Sequence, residues 1–271
     1  MDNRAIGVFD SGLGGLTVVK ELTRLLPCEN IVYFGDTGRV PYGTKGSDTI
    51  VKYARQDIRF LLSFDVKAII IACGTVSSVA FEQSQAVSPV PLVGVVNPAS
   101  AAAVKATRSG QIGILGTSAT IRSGSYGREI LRLAPQTKVC SRPCPLFVPL
   151  VENGYFRKGS PLATLAAHEY LDEFRGSGID TLILGCTHYP LLKDVVAEVV
   201  GSDVTLIDSG KETAVAAAAL LGAQGLLCEG AKDGQCRFYV SDCTDEFAAL
   251  AGIFLERSVS GYVEKTDIEK F

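Results

Sequence analysis

Two cysteines stand where chemistry is easiest to place. Cys73 closes the apolar run that starts at Lys67 and is followed by Gly74 and Thr75; Cys186 closes the run that starts at Asp180 and is followed by Thr187 and His188. A thiol at the end of a strand and the start of a helix feels the positive end of the helix dipole, which favours the thiolate. Either thiol is a candidate reactive group, and His188, one of 2 histidines, is close enough in sequence to Cys186 to relay its proton or tune it. The plainer reading of each cysteine alone is a small buried residue, and of a lone histidine a satisfied hydrogen-bonding group; His168, on a predicted helix, is given that reading. Asp10, Asp36 and Glu152 fall at predicted strand ends or loop starts, a placement that suits substrate contact or proton exchange, although most isolated acids are merely solvated.

The run from Asp10 through Ser11 to Gly15 carries three glycines between a predicted strand and a predicted helix. Glycine permits close backbone approach, and the unpaired N–H groups of a helix N-terminus suit a carboxylate or phosphate. A capped turn with Asp10 or Ser11 at the cap accounts for the same residues equally well. The spacing is not that of a dinucleotide fingerprint, and no phosphate-loop Gly-Lys-Ser/Thr is present.

The elements that position these groups follow from hydrophobic pattern. Strands are predicted at Ile6–Asp10, Ile31–Gly35, Ala68–Cys73, Leu92–Val96, Ile112–Gly116, Leu182–Cys186 and Val204–Asp208. Their unbroken apolar character implies burial on both faces of a parallel sheet. Between them, Gly15–Leu26 and Asp48–Phe64 show helical spacing, and the Ala-rich stretch Thr213–Leu227 reads as a buried helix rather than a membrane span, which needs about 20 apolar residues. A weak repeat aligns 67–75 with 180–188, and 6–11 with 112–117, so the two cysteines occupy equivalent strand ends. Ligands of parallel α/β sheets bind at carboxyl ends of strands, so two facing halves would place both thiols at one cleft.

Composition narrows the classes. The 271 residues are 47% hydrophobic and 20% charged with a net charge of −3, which fits a compact protein of one large or two small domains. Lys and Arg are scattered, which argues against nucleic acid as a partner; no membrane partner is expected, and the N-terminus reads as a cytoplasmic start. Most of the 8 cysteines are expected to be free thiols, and the spacings of Cys140, Cys144, Cys236 and Cys243 fit no usual zinc knuckle.

Taken together, the motifs resemble the glutamate racemase family from Ile6 to about Phe254: the Phe9–Gly15 loop, Gly35-Asp36-Thr37, Pro41–Gly43, Ile71–Thr75, Gly116-Thr117, Phe147–Glu152 and the highly specific Gly185–Pro190. The resemblance implies two similar three-layer α/β domains with mainly parallel sheets, pseudo-symmetric, with the active site between them. It implies Cys73 and Cys186 as the acid–base pair, exchanging roles with reaction direction, and Asp10 and His188 as their respective assistants, with Asp36 and Glu152 of second rank. It further implies a substrate site lined by Asp10, Ser11, Tyr42, Gly43, Gly74, Thr75, Thr117, Thr187 and His188, no cofactor, and glutamate as substrate, with D-glutamate supplied to bacterial peptidoglycan. One departure is Gly74, where the family usually has Asn; a side-chain contact to the substrate's charged groups is then missing, although the backbone N–H can still donate.

The domain expectation is residues 1–97 with 209–271 for the first and 98–208 for the second, with turn signals at Asn97-Pro98 and Asp208–Gly210. The resemblance is compatible with a homodimer. Two other readings stay open: a related racemase acting on aspartate or another amino acid, and a non-catalytic ligand-binding protein of the same fold.

Overall fold

The computed structural model describes residues 2–228, 230, 233–259 and 262–271. Among them are ten strands: β1 (Ile6–Asp10), β2 (Ile31–Gly35), β3 (Ala68–Ile71), β4 (Leu92–Gly94), β5 (Gln111–Gly116), β6 (Lys138–Pro143), β7 (Thr181–Leu184), β8 (Thr205–Asp208), β9 (Cys236–Val240) and β10 (Val263–Lys265). They form two wholly parallel sheets, one ordered β10-β9-β2-β1-β3-β4 and one ordered β6-β5-β7-β8.

The two sheets share one topology. The order β2-β1-β3-β4 repeats as β6-β5-β7-β8, so β3 and β7, the strands that lead to Cys73 and Cys186, are equivalent elements. In each sheet the strand order reverses beside the first strand, between β1 and β3 and between β5 and β7, and the crevice at such a reversal is where open α/β sheets bind ligands. The fold is α/β, pseudo-symmetric, with β9 and β10 extending the first sheet.

Alternation along each strand builds the layers. Ile6, Val8, Ile31, Tyr33, Ala68 and Ile70 face one core of the first sheet, while Phe9, Val32, Phe34, Ile69 and Ile71 face the other. Each such buried aliphatic chain contributes about 1.5–3 kcal/mol by leaving water, which fixes register because a one-residue slip would exchange the faces. In the second sheet Ile112, Ile114 and Ile183 turn to one side and Leu115, Leu182 and Leu184 to the other. The cluster holding Ile6 and Val8 is continuous with Leu115, Leu182 and Leu184, so the two sheets share packed residues between them. The covering helices carry apolar stripes at helical spacing, such as Ile50, Ala54, Ile58 and Leu61 on Ser47–Leu62.

All seven expected strands are present, β1 and β2 with the bounds expected and the other five with altered ends. β3 and β7 stop at Ile71 and Leu184, two residues short of their cysteines, because Cys73 has become the N-cap of the helix Gly74–Val79 and Cys186 leads into the turn Tyr189–Leu192. The expected turn at Asn97-Pro98 is instead the first turn of the helix Val96–Ala106, where proline's missing N–H costs nothing. Asp208 caps the helix Ser209–Ala223 by accepting from Gly210 N and Lys211 N. No helix among the described residues is long and apolar enough to cross a membrane.

Candidate active site

The strand ends of both sheets meet at one cavity of ≈ 390 Å³. From the first sheet it takes Asp10, Ser11 and Gly12 after β1, Tyr42 and Gly43 after β2, and Cys73, Gly74 and Thr75 after β3; from the second it takes Thr117 and Ser118 after β5, Glu152 from the helix Phe147–Glu152, and Cys186, Thr187 and His188 after β7. Both thiols are nearly buried, at 3% and 6% exposure, and both are free.

The two sulfurs have unlike surroundings. Cys73 Sγ donates to Ser11 Oγ over 3.3 Å; burial, then the nearby Asp10 carboxylate, push this thiol up to about 12. Asp10 is itself buried, and that burial raises its carboxyl despite the opposing His188 charge and the backbone donors of Gly12 and Gly15. Its Oδ2 accepts from Gly12 N at 2.8 Å, so Asp10 organises the glycine loop as well as facing the cavity.

Cys186 Sγ lies 3.8 Å from His188 Nδ1, and His188 Nε2 lies 3.0 Å from Glu152 Oε1. Burial alone would discharge the imidazole, but the bonds to Cys186 and Glu152 outweigh it and raise His188 to about 10. The ring is therefore cationic at neutral pH, backed by a carboxylate and set against a sulfur. Phe254 meets it edge-on, with centroids 5.6 Å apart, which fixes the ring plane.

Contacts between the two sets of loops are polar and close. Thr75 Oγ1 and Thr117 Oγ1 are 3.0 Å apart, and Thr17 Oγ1 donates to Thr187 O at 3.1 Å. A Cβ on Gly14 would stand 2.4 Å from Thr187 Oγ1 and 2.5 Å from His188 Nδ1, so the glycine loop lies directly against the His188 segment.

Of the residues expected at the site, Asp10, Ser11, Tyr42, Gly43, Cys73, Gly74, Thr75, Thr117, Glu152, Cys186, Thr187 and His188 are brought together around the cavity. Asp36 is not among them. Its buried carboxylate accepts from Arg39 Nε at 2.6 Å and from the Tyr42 hydroxyl, behind the cavity wall. The Tyr42 hydroxyl is thereby committed to the buried carboxylates of Asp36 and Asp57. Asp57, also fully buried, accepts from Arg39 Nη2 at 3.2 Å; burial first, and then Asp36, drive its carboxyl well above the usual range.

The sequence reading missed Cys144 and Pro145 as lining of the cavity and, although Val148 and Pro149 lie inside the Phe147–Glu152 motif, did not place them at the site. Cys144 is buried there. His168 pairs on the surface with Asp172 at 2.9 Å, the satisfied role expected of it. Among the described residues, no group of three or more His, Cys, Asp or Glu side chains is placed to hold a metal ion.

Comparison with known proteins places relatives along nearly the whole chain. Residues 16–217 match the model of the Asp/Glu/hydantoin racemase family. The chain is 48% identical over 263 residues to the glutamate racemase of Syntrophus aciditrophicus, covering 97% of this chain and 96% of that protein. It is 46% identical over 252 residues to that of Geobacter metallireducens, covering 93% of each. The crystal structure of glutamate racemase from Francisella tularensis in complex with D-glutamate superposes with a TM-score of 0.92 at 39% identity, covering 100% of both chains. With two equivalent strand-end cysteines at one cavity and likeness over nearly its whole length, the chain belongs to the glutamate racemase family, within the Asp/Glu/hydantoin racemases.

Proposed function

We propose that the protein interconverts L- and D-glutamate by a cofactor-independent reaction in which Cys73 and Cys186 act on opposite faces of the α-carbon. The observation that carries the reading is the placement of two thiols, at equivalent ends of β3 and β7, in one cavity. Inversion requires a proton to leave one face and another to arrive at the opposite face, so two monoprotic groups suffice if the substrate is held still.

The surroundings assign a starting state. Cys73, with its thiol raised to about 12, begins as the proton donor. Cys186, 3.8 Å from His188 Nδ1, takes the acceptor's part, with Glu152 holding the ring in place. After one turnover the protons have changed sides, and the reverse reaction starts from that state. Such acid–base help is worth about 10²–10⁴-fold.

The harder step is the carbanion. Negative charge that spreads into the substrate's α-carboxylate is stabilised by fixed donors in a water-poor cavity. The hydroxyls of Ser11, Thr75, Thr117 and Thr187 and the backbone N–H groups near Ser11, Gly43, Gly74 and Thr187 supply them, without the electron sink of a pyridoxal cofactor. Residues 1–97 with 209–271, and 98–208, are read as the two bodies that carry the facing loops, and a homodimer as the assembly. D-Glutamate made in this way would enter peptidoglycan, in the cytoplasm.

The experiment is to follow optical rotation with L-glutamate and with L-aspartate on purified protein free of added cofactor. Turnover of glutamate well above aspartate supports the reading. The reverse preference assigns a related racemase, and binding without inversion assigns a ligand-binding protein.

A further inference from the structure

The turn that follows Cys186 has one gap in its backbone ladder. Cys186 O accepts from Tyr189 N at 2.9 Å and His188 O accepts from Leu191 N at 3.2 Å, each three residues on. The carbonyl between them, Thr187 O, would take its bond from residue 190, which is proline and has no N–H to give. Thr187 is buried, and a buried carbonyl without a donor is costly, so its partner must come from elsewhere.

That partner is supplied by the other half of the molecule. Thr17, on the helix Leu16–Leu25 that connects β1 to β2, donates its hydroxyl to Thr187 O at 3.1 Å. The same hydroxyl lies 2.9 Å from Gly14 O, but Gly14 O already accepts from Thr17 N at 3.1 Å, so it is Thr187 O that depends on the side chain. Two glycines permit the approach. A Cβ on Gly210 would stand 3.1 Å from Thr17 Oγ1, and one on Gly14 would stand 2.7 Å from His188 Cε1. Thr17 is itself buried, and a hydrogen bond made out of water is electrostatically stronger than one made in it.

We propose that Thr17 is a positioning residue: its hydroxyl supplies the hydrogen bond that Pro190 cannot, pins the peptide between Thr187 and His188 to the first half of the molecule, and so holds the imidazole between Cys186 and Glu152. This rests on the two-thiol reading for its consequence in catalysis, though not for the anchoring itself. The charged and titratable groups that face the ring are Cys186, Glu152 and the buried Asp10. Burial works against the ring's charge, and the bonds to Cys186 and Glu152 restore it. A peptide freed to tilt loosens both bonds at once, and the imidazole then gives up its proton more readily.

The test compares Thr17→Val, which keeps the shape and removes the donor, with Thr17→Ser, which keeps the donor. With 2 histidines in the chain, NMR on histidine-labelled protein follows His188 with the surface His168 as internal reference. In Thr17→Val the His188 titration is expected to fall by about one pH unit and kcat by about tenfold, the weight of one hydrogen bond. Thr17→Ser stays within about twofold of wild type. Thr17→Val costs less in a Pro190→Ala background, because residue 190 then has an N–H to offer. If Thr17→Val alone is too unstable to purify, the double variant is assayed in its place, and it folds and titrates as wild type. A His188 titration unmoved in Thr17→Val, a Thr17→Ser protein that loses as much, or a double variant no better than Thr17→Val overturns the proposal. Because the NMR readout needs no turnover, a protein whose His188 responds as expected but which fails to invert glutamate sinks the racemase reading and leaves the anchoring role standing.

Discussion

His188 Nε2 sits 3.0 Å from Glu152 Oε1 while the other ring nitrogen faces Cys186 Sγ at 3.8 Å. The imidazole thus links a carboxylate from one helix to a thiol from a strand end, and its charge state belongs to both. Cys73 has no such partner: its neighbours are the Ser11 hydroxyl and the buried Asp10. A pseudo-symmetric fold therefore holds its two thiols in chemically different surroundings.

The first prediction concerns that link. Replacing His188 by Asn should lower kcat by about 10²-fold in both directions, and Glu152→Gln should shift the alkaline limb of the pH–rate profile downward, because the carboxylate is one of the groups that keep the imidazole charged. Steady-state assays across pH 6–11, with His188 followed by NMR, measure both (range about that of the shift). An unchanged profile in Glu152→Gln would contradict the arrangement.

A stability prediction follows from the same shift. The folded His188 titrates near 10, above its ordinary 6.5. The folded state then binds the proton more tightly than the unfolded chain, so the associated stabilisation is complete below 6.5 and fades as pH rises through about 10. Urea unfolding of wild type and His188→Asn should show a gap that narrows over that window. A gap that widens with pH would have the wrong sign.

Cys73 gives a chemical prediction. With its thiol raised to about 12, alkylation of Cys73 by iodoacetamide should be slow at neutral pH and climb about tenfold per pH unit through the mildly alkaline range, since the thiolate is the reactive form. Peptide mapping of alkylated protein reads it. Rapid, pH-independent labelling at pH 7–8 would show that burial and Asp10 do not hold the proton on Cys73.

Arg39 is the cation between two buried carboxylates. Arg39→Met should destabilise the protein by about 3–5 kcal/mol, the cost of breaking a buried pair by removing one partner. Asp57→Asn should cost much less, because Asp57 is the carboxyl driven toward its neutral form. Denaturant midpoints compare them, and equal losses would contradict an Asp57 held toward its neutral form.

How much of this was legible in the sequence depends on where each residue's signal comes from. The central strands β1, β3, β5 and β7 are buried on both faces, so their apolar runs announce themselves, and the alignment of 67–75 with 180–188 anticipated the shared topology. β6 is largely exposed, carrying Lys138, Ser141 and Arg142, and β10 is a three-residue edge; neither has an apolar run to find. Only Phe238, Tyr239 and Val240 of β9 are buried, with Arg237 interrupting the pattern. At the site, motif residues were visible because loops after β1, β3, β5 and β7 carry Gly, Ser, Thr and Cys instead of core residues. Asp36 was misplaced, since sequence shows a carboxylate after β2 but not that Arg39 and Tyr42 turn it away from the cavity. In the cavity wall, Cys144 is a fully buried thiol that in sequence looks like core, while Pro145, Val148 and Pro149 carry no reactive group to mark them.

The most direct measurement is the isotopic content of both enantiomers early in the conversion of L-glutamate in deuterated water. Two monoprotic thiols on opposite faces predict D-glutamate carrying one α-deuterium, while recovered L-glutamate keeps its α-hydrogen. Deuterium entering the L-glutamate pool as fast as inversion proceeds, or D-glutamate that retains the substrate's own hydrogen, would mean that one group serves both faces and that the paired-thiol account is wrong.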